Sequence, residues 1–135
     1  MKAYKLFREE NGKIFSLYKH LLDNSYKDYI EYSKKKKNKK KFPVKKKGPF
    51  CAFLFLGRVD DFVLYFGKKN IKYSLYQIEG RQSSYNFVWE QYDGNKYSNI
   101  TTMFYLAPGT VLVDDFKIIK LVSKYMGKRR IKIGC

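Results

Sequence analysis

A single histidine, His20, excludes a multi-histidine metal centre or a histidine relay. Two cysteines, Cys51 inside an apolar run and Cys135 at the last position, give neither a disulfide framework nor a zinc pattern. Cys51 reads as a small core residue and Cys135 as an exposed thiol. Alanine, the best helix former, occurs only at Ala3, Ala52 and Ala107, so helix is not the expected main element. No Gly-rich phosphate loop is present. No motif holds a base beside a serine or cysteine nucleophile. The most apolar stretch, residues 49–66, is broken by Gly57, Arg58, Asp60 and Asp61 and falls short of a membrane span. The opening MKAYKLFREENGK lacks the apolar centre of a signal peptide. These absences predict an intracellular protein with no metal, no cofactor and no membrane partner.

Acidic residues are also few, 12 against 29 basic ones, for a net charge of +17. The excess is concentrated. Residues 34–47, KKKKNKKKFPVKKK, hold ten lysines (Lys34, Lys35, Lys36, Lys37, Lys39, Lys40, Lys41, Lys45, Lys46 and Lys47) and no acid. Removing these ten from the 29 leaves 19 against 12. The stretch from Lys124 adds Lys124, Lys128, Arg129, Arg130 and Lys132, and without those five the remainder stands at 14 against 12. A near-neutral body with two basic patches points to a polyanionic partner. A base composition rich in Lys, Asn, Tyr and Ile codons accounts for some lysine content, but not for its clustering.

What is abundant favours sheet. Hydrophobic residues make up 44% and aromatics 19%, with 13 Tyr and 11 Phe, side chains that suit a pleated surface. Residues 3–8 alternate as a half-buried strand, and Asn11-Gly12 is a tight-hairpin turn leading to a returning strand over 13–19. Residues 16–33 fit a helix by spacing and a strand by composition; strand is preferred for 26–32, which makes the lysine run an enlarged hairpin loop. Residues 50–56 read as a strand buried on both faces. Residues 58–66 place Val59, Phe62, Val63 and Phe66 at helical spacing, with Gly67 as the stop and Asp60 and Asp61 near the start complementing the helix dipole. Strands are predicted at 71–79, closed by Gly80, at 103–106, and at 111–122. Residues 80–99 read as polar with aromatic islands and one turn at Asp93-Gly94. The expectation is an α+β domain over 1–123, a mostly antiparallel β-sheet with one short α-helix packed on it, followed by a basic, frayed tail over 124–135.

Three segments resemble a group of small uncharacterised proteins of phages and large DNA viruses. They are YKLFREENGKIFSLY (4–18), GPFCAFLFLGRVDDFVLYFG (48–67) and LAPGTVLVDDFKIIK (106–120), covering about half the chain. The resemblance implies a hairpin, a strand-helix unit and a closing strand, with the segment after the first hairpin extended, and brings no activity. A fainter likeness to ADP-ribosyltransferase folds rests on Arg8 on an early strand, with Glu79 as the acid and no Ser-Thr-Ser segment.

The functional expectation is a non-enzymatic viral accessory protein that binds nucleic acid, single-stranded or without sequence preference. The contacts would come from the ten lysines of the run and from Lys128, Arg129, Arg130 and Lys132. Tyr29, Tyr32 and Phe42 are candidates for stacking on unpaired bases. A uniform lysine run supplies point charges but no base readout. The alternative is a counter-defence module that binds a host protein or a small anionic nucleotide in a pocket near Arg8, Arg58 and Arg81. A third reading is an enzyme. It would be transferase-like, or a Mg²⁺-dependent nuclease using the Asp115-Phe116-Lys117 spacing, although Asp114 and Asp115 as strand neighbours face opposite ways unless a bulge intervenes.

Overall fold

The computed structural model describes residues 1–15, 17, 31–39, 49–93, 96–102 and 109–131. The fold is a mostly antiparallel sheet with one short helix. Strand β1 (Lys2–Glu10) returns through Asn11 and Gly12 into β2 (Lys13–Phe15). Both turn residues have positive φ, 51° and 77°, the conformation that Asn-Gly tolerates and tight hairpins need. The returning strand is shorter than expected, since Leu17 lies beyond it. β3 (Glu31–Tyr32) pairs with β2, so the end of the 26–32 segment is extended; residues 18–30 lie outside the described part. β4 (Asn38–Lys39) lies inside the lysine run, so two residues of the run are part of the sheet rather than of a free loop.

β5 (Phe50–Phe53) ends earlier than the apolar run suggests, because the chain turns and helix α1 (Leu56–Phe66) begins. Leu54, Phe55 and Leu56 are exposed in consequence. Gly67 ends the helix, donating its N–H to the Val63 carbonyl at 2.8 Å. Helix onset at Leu56 moves Asp60 and Asp61 out of the first turn, so they do not serve its dipole. Asp60 instead accepts from the Tyr125 hydroxyl at 2.8 Å and from Arg130 at 3.2 Å. Burial, and then that bond to Asp60, raise the Tyr125 pKa, opposed by Arg130.

β6 (Lys72–Gln82) runs through Gly80 instead of stopping there. The glycine marks a close approach of two backbones. A Cβ at Gly80 would lie 2.4 Å from the Asp115 carbonyl oxygen and 3.2 Å from the Phe116 Cβ. Gly80→Ala is therefore expected to cost about 1–3 kcal/mol through forced strand displacement, read from the urea midpoint. A loss under about 0.5 kcal/mol would contradict this packing. β7 (Phe87–Asp93) and β8 (Lys96–Thr102) form a separate two-stranded sheet where the sequence reads as polar connection. Asp93 pairs with Lys96, and the expected turn at Asp93-Gly94 runs into residues 94–95, which lie outside the described residues. The expected strand at 103–106 lies outside the described residues.

β9 (Thr110–Met126) is the longest strand, with 17 residues. It pairs with β6 along nearly its whole length, and three irregularities leave Asp114, Ile119 and Val122 without a β6 partner. Such extra residues bend a strand and increase its coiling. As far as Ile131 the tail expected to fray past Tyr125 is paired: β9 continues to Met126, and Gly127, at φ 59°, turns the chain into β10 (Arg129–Ile131), which pairs back on β9, while residues 132–135 lie outside the described part. Residues 124–131 thus belong to the domain.

β1, β6, β9 and β5 pair in succession, and β5 returns to β1 through Tyr4 and Phe53, so the sheet closes on itself. Two cores follow. The inner one gathers Ala3, Phe7, Ile14, Phe50, Ala52, Tyr76, Ile78, Val113 and Phe116. The second, between sheet and helix, holds Leu6, Phe53, Val59, Val63, Tyr73, Leu75 and Tyr125. The Val59 and Val63 spacing predicted from the sequence is the buried stripe of α1.

Candidate nucleic-acid interface

The lysine run enters the described structure as a clamped turn. Asn38 is 7% exposed and sits at its base. Its Oδ1 accepts from the Ser33 amide at 2.8 Å, and its Nδ2 donates to the Ser33 carbonyl at 2.9 Å. The Ser33 Oγ accepts the amides of Lys35 and Lys36 at 3.2 and 2.8 Å, the local bonding that Ser and Asn supply in turns. Lys34 reaches back to the Gly12 carbonyl at 2.7 Å. Lys37 lies 3.6 Å from a carboxylate oxygen of Asp115, which Arg81 approaches at 3.5 Å from the other side. The side chains of Lys35, Lys36 and Lys39 are left exposed on this fixed base. Lys40, Lys41, Lys45, Lys46 and Lys47 lie outside the described residues, as do Lys132, Tyr29 and Phe42.

The aromatic and arginine candidates are placed differently from expectation. Tyr32 is not a stacking platform. Its ring packs 5.2 Å from Phe7, 5.8 Å from Phe50 and 5.6 Å from Phe116, inside the closed sheet. Tyr32 stands opposite the buried Ile14 on β2, and residues opposite one another share a face, so its ring points inward. Lys5, from the same face, places its amine 5.7–5.9 Å from the rings of Phe7, Tyr32, Phe50 and Phe116 and donates to the Cys51 carbonyl at 2.6 Å. Arg8, Arg58 and Arg81 do not form one pocket. Arg8 stands opposite Tyr73 on β6, and Arg81 lies eight residues further along that strand, about 26 Å away at some 3.3 Å per residue. Arg8 is bonded to Glu10, and Arg58 lies against Gly109.

The enzymatic constellations come apart on the same geometry. Glu79 is six residues from the β6 position opposite Arg8, about 20 Å. An arginine and an acid so far apart cannot grip one small substrate. A bulge does occur at Asp114, but Asp115 is held by two cations and Phe116 is in the core. Among the described residues no three His, Cys, Asp or Glu side chains gather to hold a metal.

The second basic segment is built into the fold. β4 and β10 both pair with β9 on the side away from β6, since β9 residues 115–116 and 124–126 have β6 as their other neighbour. Arg130 is engaged by Asp60 and Tyr125, while Lys128 and Arg129 are exposed at the turn. Lys124 pairs with Glu9 at 3.4 Å. Burial and Glu9 raise the pKa of the nearby Tyr76 hydroxyl, and Lys124 lowers it. Among the described residues, no helix is long and apolar enough to cross a membrane. Comparison with protein-family models, with curated proteins and with solved structures returned no match.

Proposed function

We propose that the protein binds nucleic acid without sequence preference, through the exposed lysines of residues 34–47 and the basic turn at Lys128 and Arg129. The observation that supports this most is the clamped turn from Ser33 to Asn38. It fixes the backbone under Lys35 and Lys36, and β4 fixes Lys39, so their charges are presented together with little ordering left to do on binding. Lysine contributes as a strong point charge to phosphate, and the uniformity of the run gives no means of reading base edges. The resemblance to small phage and large-virus proteins supports an accessory role in such a setting. The rival pocket for a host protein or anionic nucleotide would need Arg8, Arg58 and Arg81 together, and Arg8 and Arg81 are far apart.

Replacing Lys35, Lys36 and Lys39 with glutamine leaves Ser33, Asn38 and β4 in place, whereas deleting the segment would remove part of the sheet. The triple variant is expected to flatten the dependence of log affinity on log salt by about 2–3 units for a labelled oligonucleotide, at about one unit per lost phosphate contact. An unchanged slope, with the fold intact by circular dichroism, would count against the run as the contact.

A further inference from the structure

The register of the sheet uncovers a basic surface that the chain order hides. Residues directly opposite on antiparallel strands share a face. Lys2, Glu79 and Lys117 stand in one row across β1, β6 and β9, and Tyr4, Gln77 and Lys120 in the next. On the other side of the Glu79 row, Arg81, Asp115 and Lys39 form a row across β6, β9 and β4. Lys2, Lys39, Arg81, Lys117 and Lys120 are all exposed. Lys37 joins them through Asp115. Glu79 is the one exposed acid in these rows.

The other ion-paired acids are placed elsewhere. Glu9, Glu10, Glu31 and Asp60 are engaged by Lys124, Arg8, Lys13 and Arg130 on other parts of the molecule. Neighbouring rows are two residues apart on β6, about 7 Å, and each row holds at least one cation, over a stretch contiguous with the start of the lysine run. Like charges gathered this way repel one another and favour the fold only once counter-charge is present.

Resting on the reading above, we infer that this outer sheet face is the principal phosphate-binding surface, and that its ligand is the backbone of a nucleic acid duplex. Two features select the duplex. The side chains in these rows are charged or amide, apart from Tyr4, which is half-buried against the helix-side core. Single-strand binders rely instead on exposed rings that stack with bases. The face is also held rigid by four paired strands, and a duplex presents phosphates on a rigid surface of its own, so both partners meet already ordered.

The test is the salt dependence of binding to a duplex of about 20 base pairs and to one of its strands alone, for the full chain and for Lys117→Ala/Lys120→Ala. Both substitutions are at exposed positions, and thermal unfolding checks that the fold is kept. The native chain is expected to bind the duplex at least tenfold more tightly than the single strand, and the double variant to lose about two units of slope on the duplex. An unchanged slope, or a preference for the single strand, would overturn the inference and leave the run-based reading standing. Failure of the native chain to bind either nucleic acid at low salt would instead remove the functional reading itself.

Discussion

Phe116→Ala is expected to destabilise the protein by about 3–5 kcal/mol, the range for removing a large aromatic from a core that cannot fully collapse. Phe116 is fully buried, at 0% exposure. Its ring lies 5.1 Å from Phe50 at right angles, 5.6 Å from Tyr32 and 6.1 Å from Phe7, and the Lys5 amine is 5.8 Å from its centre. Truncation therefore empties the middle of the inner core and removes three aromatic contacts together. It also strips one wall from a lysine whose head is held among rings. A domain of this size has roughly 5–15 kcal/mol in total, so the loss is about a fifth of it or more. Denaturant unfolding reads the effect, with Ile119→Ala as the control. Ile119 is 43% exposed on the same strand, and its truncation is expected to change stability by under about 0.5 kcal/mol. If the two variants unfolded at similar midpoints, Phe116 would not be the centre of the fold.

The parts of the structure legible in the sequence were those with local causes. Asn11-Gly12 announces its turn because few other pairs accept positive φ at both positions. Val59 and Val63 announce a helix by their spacing. The helix start was obscured because Leu54, Phe55 and Leu56 extend the apolar run of β5 without being part of the strand. Gly80 and Tyr32 misled for related reasons. A glycine can end a strand or permit two strands to approach, and an aromatic beside a charged run can face water or core. Only the partner strand decides, and for both residues that partner is remote in sequence.

The candidate site divides in the same way. The lysine run is visible to any count of residues. The sheet face is not, because Lys2, Arg81, Lys117 and Lys120 come from three strands spread along the chain and are brought together only by pairing. Subtracting run and tail makes the body look neutral, which is correct as a sum. The sum conceals that Glu9, Glu10, Glu31 and Asp60 pair with cations on other surfaces. Closure of the sheet through β1 and β5 was likewise unreadable, since the contact rests on one pair, Tyr4 and Phe53, with no periodicity to mark it.

Both halves of the functional account require contact through phosphates, and that has the second large expected effect. Six exposed lysines are available on the clamped turn and the sheet face: Lys2, Lys35, Lys36, Lys39, Lys117 and Lys120. Each phosphate neutralised by a lysine releases condensed counterion, and the contacts add in the exponent of the salt dependence. Base composition should leave that slope nearly unchanged, because contacts to phosphate carry no sequence information. The most direct measurement is the affinity of the native chain for a mixed-sequence duplex titrated from about 50 to about 200 mM salt. A slope near −5 and a fall of about a thousandfold are expected for six contacts, whereas a slope shallower than about −2, or binding insensitive to salt, would contradict the account.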